Sequence, residues 1–165
     1  MREKYVIILL ALVTILILGG GVILISGSST TSTGIIASAK AKASVLTTEY
    51  AWGNIPYGGG YAKKSFIIKN AGTDVLKLTN IKTSCHCTKA NITIDGKESL
   101  YFGMSGASSW IGEVAPGKEA TLNVVFDPAF HGPQGIGPVQ RYISVETNDA
   151  SNSKLTFTLT GTVIK

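Results

Sequence analysis

The sequence predicts an all-β fold, a sandwich of antiparallel sheets held outside the cytoplasm behind a single transmembrane helix. Three observations predict it. From about Val45 onward, apolar and polar residues alternate with period two in short runs. Turn chemistry separates those runs, as in Asn70-Ala71-Gly72-Thr73-Asp74 and Ala115-Pro116-Gly117-Lys118. The long apolar stretch lies elsewhere, at Tyr5–Ile25, where 21 residues carry no charge.

As a helix rising ~1.5 Å per residue, Tyr5–Ile25 spans roughly 30 Å, a bilayer hydrocarbon core. Arg2 and Lys4 precede it, so the positive-inside rule keeps the N-terminus cytoplasmic and exports the remainder. A cleaved signal peptide is the competing reading, since Tyr5–Leu18 alone fits an apolar core of ~7–15 residues. The small-residue site Ala37-Ser38-Ala39 lies far beyond that stretch, and no cysteine is placed for lipoprotein processing. Both readings put the domain outside the cytoplasm. The resulting division is an anchor over 1–25, a flexible tether over 26–43 and a β-domain over 44–165. Ser26–Thr33 is small, polar and aperiodic, as a tether should be.

The domain's strands follow in order. Lys64–Lys69 is a strand closed by the Asn70–Asp74 turn, and Val75–Thr83 alternates into the cysteines. Asn91–Ile94 and Ser99–Phe102 flank Asp95-Gly96-Lys97. Ala120–Asp127 places Leu122, Val124 and Phe126 on one face. Val139–Glu146 and Lys154–Ile164 close the domain as a hairpin around Asn148–Asn152. About eight short strands without an amphipathic helix indicate an immunoglobulin-like topology, lacking the Cys…Trp…Cys spacing of antibody domains.

Several of these residues carry a resemblance. Phe66-Ile67-Ile68-Lys69-Asn70-Ala71-Gly72, then Leu76-x-Leu78-x-x-Ile81 and Ser84-Cys85-x-Cys87-Thr88, resembles the bacterial domain-of-unknown-function 1573 family. Ala115-Pro116-Gly117, Val124-Val125-Phe126-Asp127-Pro128 and Thr147-Asn148-Asp149 fit the same family, whose modules are similar to ASH and hydin domains. The resemblance covers roughly Val45–Ile164. It implies an exported, non-catalytic immunoglobulin-like module and supplies no settled activity. The family commonly has Gly where this chain has His86, and the Phe102–Trp110 and Phe130–Pro138 loops are longer than in its simplest members.

Both cysteines and one of the two histidines fall in Cys85-His86-Cys87. In an extended strand Cys85 and Cys87 face one way and His86 the other. Their Cα atoms would then stand ~6.5–7 Å apart, at the edge of disulfide reach, and a bend would bring the sulfurs together. Three states are open: a metal site, a Cys85–Cys87 disulfide, or buried inert thiols. Thiolate and thioether donors favour copper(I), and imidazole suits copper or zinc. The candidate ligands are Cys85, Cys87, Met104 and His131, the last two in Gly-rich loops, with His86 the weakest member. Thiol–disulfide exchange has thinner support, because no Cys-x-x-Cys opens a helix.

Other classes are excluded or weak. The net charge of +5 is concentrated beside the apolar segment, and Ser44–Lys165 holds eleven basic and nine acidic residues. With Arg141 its only arginine, the domain offers no nucleic-acid surface. No nucleophile elbow or triad-like context is present, and Gly58-Gly59-Gly60 lacks the Lys and helix of a phosphate loop. Asp127, four residues before His131, reads as a strand end rather than a partner for it. Asn91-Ile92-Thr93 matches a glycosylation sequon. Trp52, Tyr57, Tyr61 and Trp110 could form an aromatic surface, with core packing the expectation for the tryptophans. The reading is therefore a single-pass cell-membrane protein whose extracytoplasmic module binds another envelope protein or serves envelope structure. It is not an enzyme. The alternative is a copper(I) or other metal carrier built on Cys85, Cys87, Met104 and His131.

Overall fold

The computed structural model describes Tyr5, residues 35–104 and residues 109–165. The anchor reading of 1–25 (Tyr5 excepted) and the tether through residue 34 lie outside the described residues. Among the described residues no helix is long and apolar enough to cross a membrane. Ile35–Lys165 forms one compact unit.

The alternating runs pair into ten strands among the described residues: β1 (Ala43–Val45), β2 (Glu49–Pro56), β3 (Ala62–Asn70), β4 (Leu76–Thr83), β5 (Thr88–Ile94), β6 (Lys97–Glu98), β7 (Ile111–Val114), β8 (Glu119–Phe126), β9 (Gly137–Thr147) and β10 (Lys154–Ile164). One sheet runs β1-β3-β8-β5-β6 and the other β2-β10-β9-β4-β7. Their inward residues form the core. Phe66 and Phe157 meet across it at 4.9 Å between ring centroids, among Ile68, Ile92, Leu122, Leu76, Leu78, Ile143 and Leu159. Each such side chain, taken fully from water, contributes roughly 1.5–3 kcal/mol. A smaller cluster of Ile55, Cys87, Phe126 and Val163 closes one end, with Trp52 and Cys85 packed on it.

The sequence reading needs four corrections. The sandwich is not wholly antiparallel, because β2 runs parallel to β10. The chain pairs first with β3 through β1 and then crosses to the second sheet, so β2 arrives in the direction of the last strand. Strands β2 and β7 were not anticipated. β2 carries a left-handed Gly53 and exposed residues on both faces, and β7 is only four residues long. Ser99–Phe102 is not a continuous strand. Ser99 Oγ accepts the Ile92 N–H at 2.9 Å, the chain loops out at Leu100-Tyr101, and Phe102 bridges back to Ala90.

Packing also starts before Val45. Ala41 is fully buried, and the Lys40 and Lys42 carbonyls accept the N–H groups of Thr73 and Ala71. Asp149, on the β9–β10 turn, accepts the Ala43 N–H at 3.0 Å and pairs with Lys42 at 3.4 Å.

The turn motifs have specific work in this frame. Buried Asn70 donates to the carbonyls of Asp74 and Val114 while its Oδ1 accepts the Gly72 N–H. Asn148 ties β4 to the last hairpin by accepting from Lys77 N–H and donating to the Val75 carbonyl. Asp95-Gly96 turns β5 into β6 with both residues at positive φ, as a two-residue hairpin requires.

Candidate functional site at the Cys85–Cys87 turn

Strand β4 ends at Thr83 and β5 starts at Thr88, so the two cysteines sit on the connection between the sheets. That connection is a tight turn. Thr88 N–H donates to the Cys85 carbonyl at 3.1 Å, and Thr83 Oγ1 donates to the carbonyls of Cys85 and Thr88. The expected extended geometry is therefore replaced by a bend, which draws the two Cα atoms to 5.2 Å. Cys85 and Cys87 are joined as a disulfide.

The two sulfurs differ in surroundings. Cys87 is 3% exposed, sealed into the end cluster beneath Phe126. Its Sγ accepts from Arg141 Nε at 3.2 Å. Arg141 reaches it from β9 with its guanidinium 5.2 Å from the centre of the Phe126 ring. Burial pulls the Arg141 pKa below its ordinary value, yet a guanidinium remains a cation at neutral pH. Cys85 is half-buried and accepts the Cys87 backbone N–H at 3.3 Å. Its Sγ faces His131 Nε2 at 3.3 Å.

His131 is exposed and directly precedes a short 3-10 turn, Gly132–Gly135. Its ligand atom and the two sulfurs all lie within 4.8 Å of one another. Three of the four expected metal ligands thus converge. Met104 is 46% exposed, next to Gly103, whose carbonyl accepts the Thr83 N–H at 3.2 Å. His86 is exposed and outside the three-donor cluster. Asp127 does what a strand end does: its Oδ1 accepts the Ala129 N–H, and its own N–H donates to the Cys87 carbonyl.

Beside the turn lies an open depression of about 490 Å³. Its floor is a rung of the first sheet, Lys63–Val125–Lys89, set by the β3–β8–β5 register. Tyr61, Tyr101 and Phe130 stand around it, 64%, 57% and 52% exposed, and His86 and Cys87 form the side toward the disulfide. Tyr101 is there because of the Leu100-Tyr101 loop-out. Trp52, by contrast, stacks on Phe126 at 5.6 Å, and Trp110 packs on Phe102 at 5.4 Å.

Sequence reasoning missed Arg141 and the groove. In the sequence Arg141 stands out only as the domain's single arginine, and its meeting with Cys87 depends on how β9 lies against the turn. Lys63 and Lys89 fall just outside the strands the sequence predicts, and only the register sets them either side of Val125.

A family model described as a protein of unknown function (DUF1573) matches residues 43–106, which include both cysteines. A protein of unknown function from Porphyromonas gingivalis is similar in structure, with TM-score 0.57 and 18% identity over 80% of this chain. The chain spans about half, 51%, of that protein's length. An ASH/PapD-like domain of human CEP192 aligns at TM-score 0.47 and 16% identity, covering 84% of this chain and 96% of the domain. The CsuC–CsuE chaperone–tip adhesion subunit complex of Acinetobacter baumannii contains a chain that aligns at 0.44 and 14%, over 74% and 52%. No curated protein matches the chain.

Proposed function

We propose that the chain is a membrane-anchored, extracytoplasmic, non-enzymatic module that binds another envelope protein at the Cys85–Cys87 end of its sandwich. The observation that carries this is the groove. It sets three exposed aromatic rings around two lysines on the first sheet, chemistry suited to an extended segment bearing apolar and acidic side chains. The address is supported by Tyr5–Ile25 behind Arg2 and Lys4 and by a disulfide, a bond that persists in oxidising compartments.

Co-purification from solubilised membranes of the producing cells tests the reading. A Lys89→Glu, Tyr101→Ala double variant should lose the envelope partner. Thr156→Glu, on the outer face of the opposite sheet, should keep it. Equal retention by both variants contradicts the groove as the binding surface.

A second reading rests on its own observation, the convergence of Cys85, Cys87 and His131. With the disulfide reduced, two thiolates and an imidazole could hold copper(I), and Met104 is the fourth donor expected from the sequence.

A further inference from the structure

The asymmetry of the two sulfurs goes beyond binding. We propose that Cys85 and Cys87 form an exchange-active disulfide, in which a substrate thiolate attacks Cys85 Sγ and Cys87 departs as a thiolate held by Arg141. Exposure selects the attacked atom, since Cys85 is half open and Cys87 is 3% exposed. The leaving atom is selected by charge. Arg141 Nε already donates to Cys87 Sγ at 3.2 Å, and that hydrogen bond strengthens as the sulfur becomes anionic. A fixed donor aimed at the site of developing charge favours the step without reorganising.

The step balances. The incoming thiolate forms a bond to Cys85 Sγ, the Cys85–Cys87 bond breaks, and its electron pair leaves on Cys87 Sγ. A second substrate thiolate then attacks the sulfur attached to Cys85, which departs as a thiolate. Two substrate thiols become one disulfide, and their two electrons reside on the cysteine pair, the oxidant in the exchange. In Cys-x-x-Cys proteins a helix N-terminus stabilises one thiolate. Here the turn between β4 and β5 has no such helix, and Arg141 takes that position. The chemistry needs no occupant in the groove, and its failure would leave the binding reading untouched.

Reduced glutathione is a sufficient probe. The purified full-length chain, disulfide intact, is mixed anaerobically with excess glutathione, quenched in acid at intervals and mapped by mass spectrometry. The expected adduct is on Cys85. Arg141→Gln should slow reduction about tenfold or more, the scale of a charge-assisted hydrogen bond lost from the reacting atom. Arg141→Lys, which keeps the charge, should recover most of that rate, and Lys82→Gln, on exposed β4 surface, should match the parent. An adduct on Cys87, adducts divided equally, or no reaction would overturn the proposal. So would an Arg141→Gln rate equal to the parent's. Should Arg141→Gln fail to fold, the adduct position in the parent and the Arg141→Lys rate still decide.

Discussion

His131 Nε2 lies 3.3 Å from Cys85 Sγ, although 46 positions separate the two residues. Two independent pieces of backbone meet there: the turn that carries β4 into β5, and the loop that carries β8 into β9. Neither residue's spacing in the chain foretells the contact. It gives the more open sulfur of the disulfide an imidazole neighbour and makes this end of the sandwich chemically unlike the other.

Under reducing, anaerobic conditions the three converged donors should take up copper(I). We expect one ion per chain in a titration against a competing chelator, with Cys87→Ser abolishing binding. His131→Ala should weaken it by at least about tenfold, as loss of a ligand or its supporting contact does. Binding unchanged in His131→Ala would confine any metal chemistry to the sulfurs.

Asp149 sets an acid limit on stability. Burial alone would raise its pKa, but hydrogen bonds from Ser151, Ala43, Asn152 and Lys42 outweigh that and hold it at about 2. Because the folded value is depressed, the unfolded chain binds the proton more readily between about pH 4 and pH 2. The stabilisation is therefore complete above the unfolded carboxyl pKa and disappears as pH falls through about 2. A shift of this size corresponds to roughly 2 kcal/mol. Urea midpoints at pH 7, 3.5 and 2 should fall in that order, and Asp149→Asn should flatten the decline.

Gly72 is fixed by its neighbours rather than by its dihedral angles. A Cβ there would overlap the Lys40 carbonyl oxygen and the Lys42 nitrogen, both backbone atoms that cannot step aside cheaply. Gly72→Ala should destabilise the chain by about 1–3 kcal/mol, the usual scale of overpacking. Hydrogen exchange should show the Ala71 and Thr73 amides, now bonded to Lys42 and Lys40, losing protection first.

The sequon at Asn91 should stay unmodified. Asn91 is 1% exposed and engaged with Asn123 and Glu98 on β5, between β8 and β6. Expression through a eukaryotic secretory route should give an intact mass without glycan. A glycosylated product would mean that the β5–β8 pairing forms after transfer of the sugar.

Much of the fold was legible because alternation and turn residues are local signals. Lys154–Ile164 matches β10 end to end, and the Asn148–Asn152 turn falls where the sequence places it. What was illegible depended on geometry between distant segments. β2 has no buried alternation to mark it, since among its residues only Ile55 is buried. The early start of packing at Ala41 rests on contacts with Gly72 and Asp149, far along the chain. At the site, residue chemistry points to Cys85, Cys87, Met104 and His131 as a group, and the structure brings Cys85, Cys87 and His131 together. Arg141 shares the inward phase of β9 with Val139, Ile143 and Val145, but the residue it meets there depends on how β9 lies against the turn.

The central claim is that the groove beside the disulfide binds a protein. Its most direct test is a photocrosslinking amino acid placed at Tyr101 and, separately, at Thr156 on the opposite sheet, in cells that make the full-length chain. The account predicts one discrete crosslinked envelope protein from position 101, diminished by Lys89→Glu, and none from position 156. Crosslinks from 156 alone, or none from 101, would contradict it.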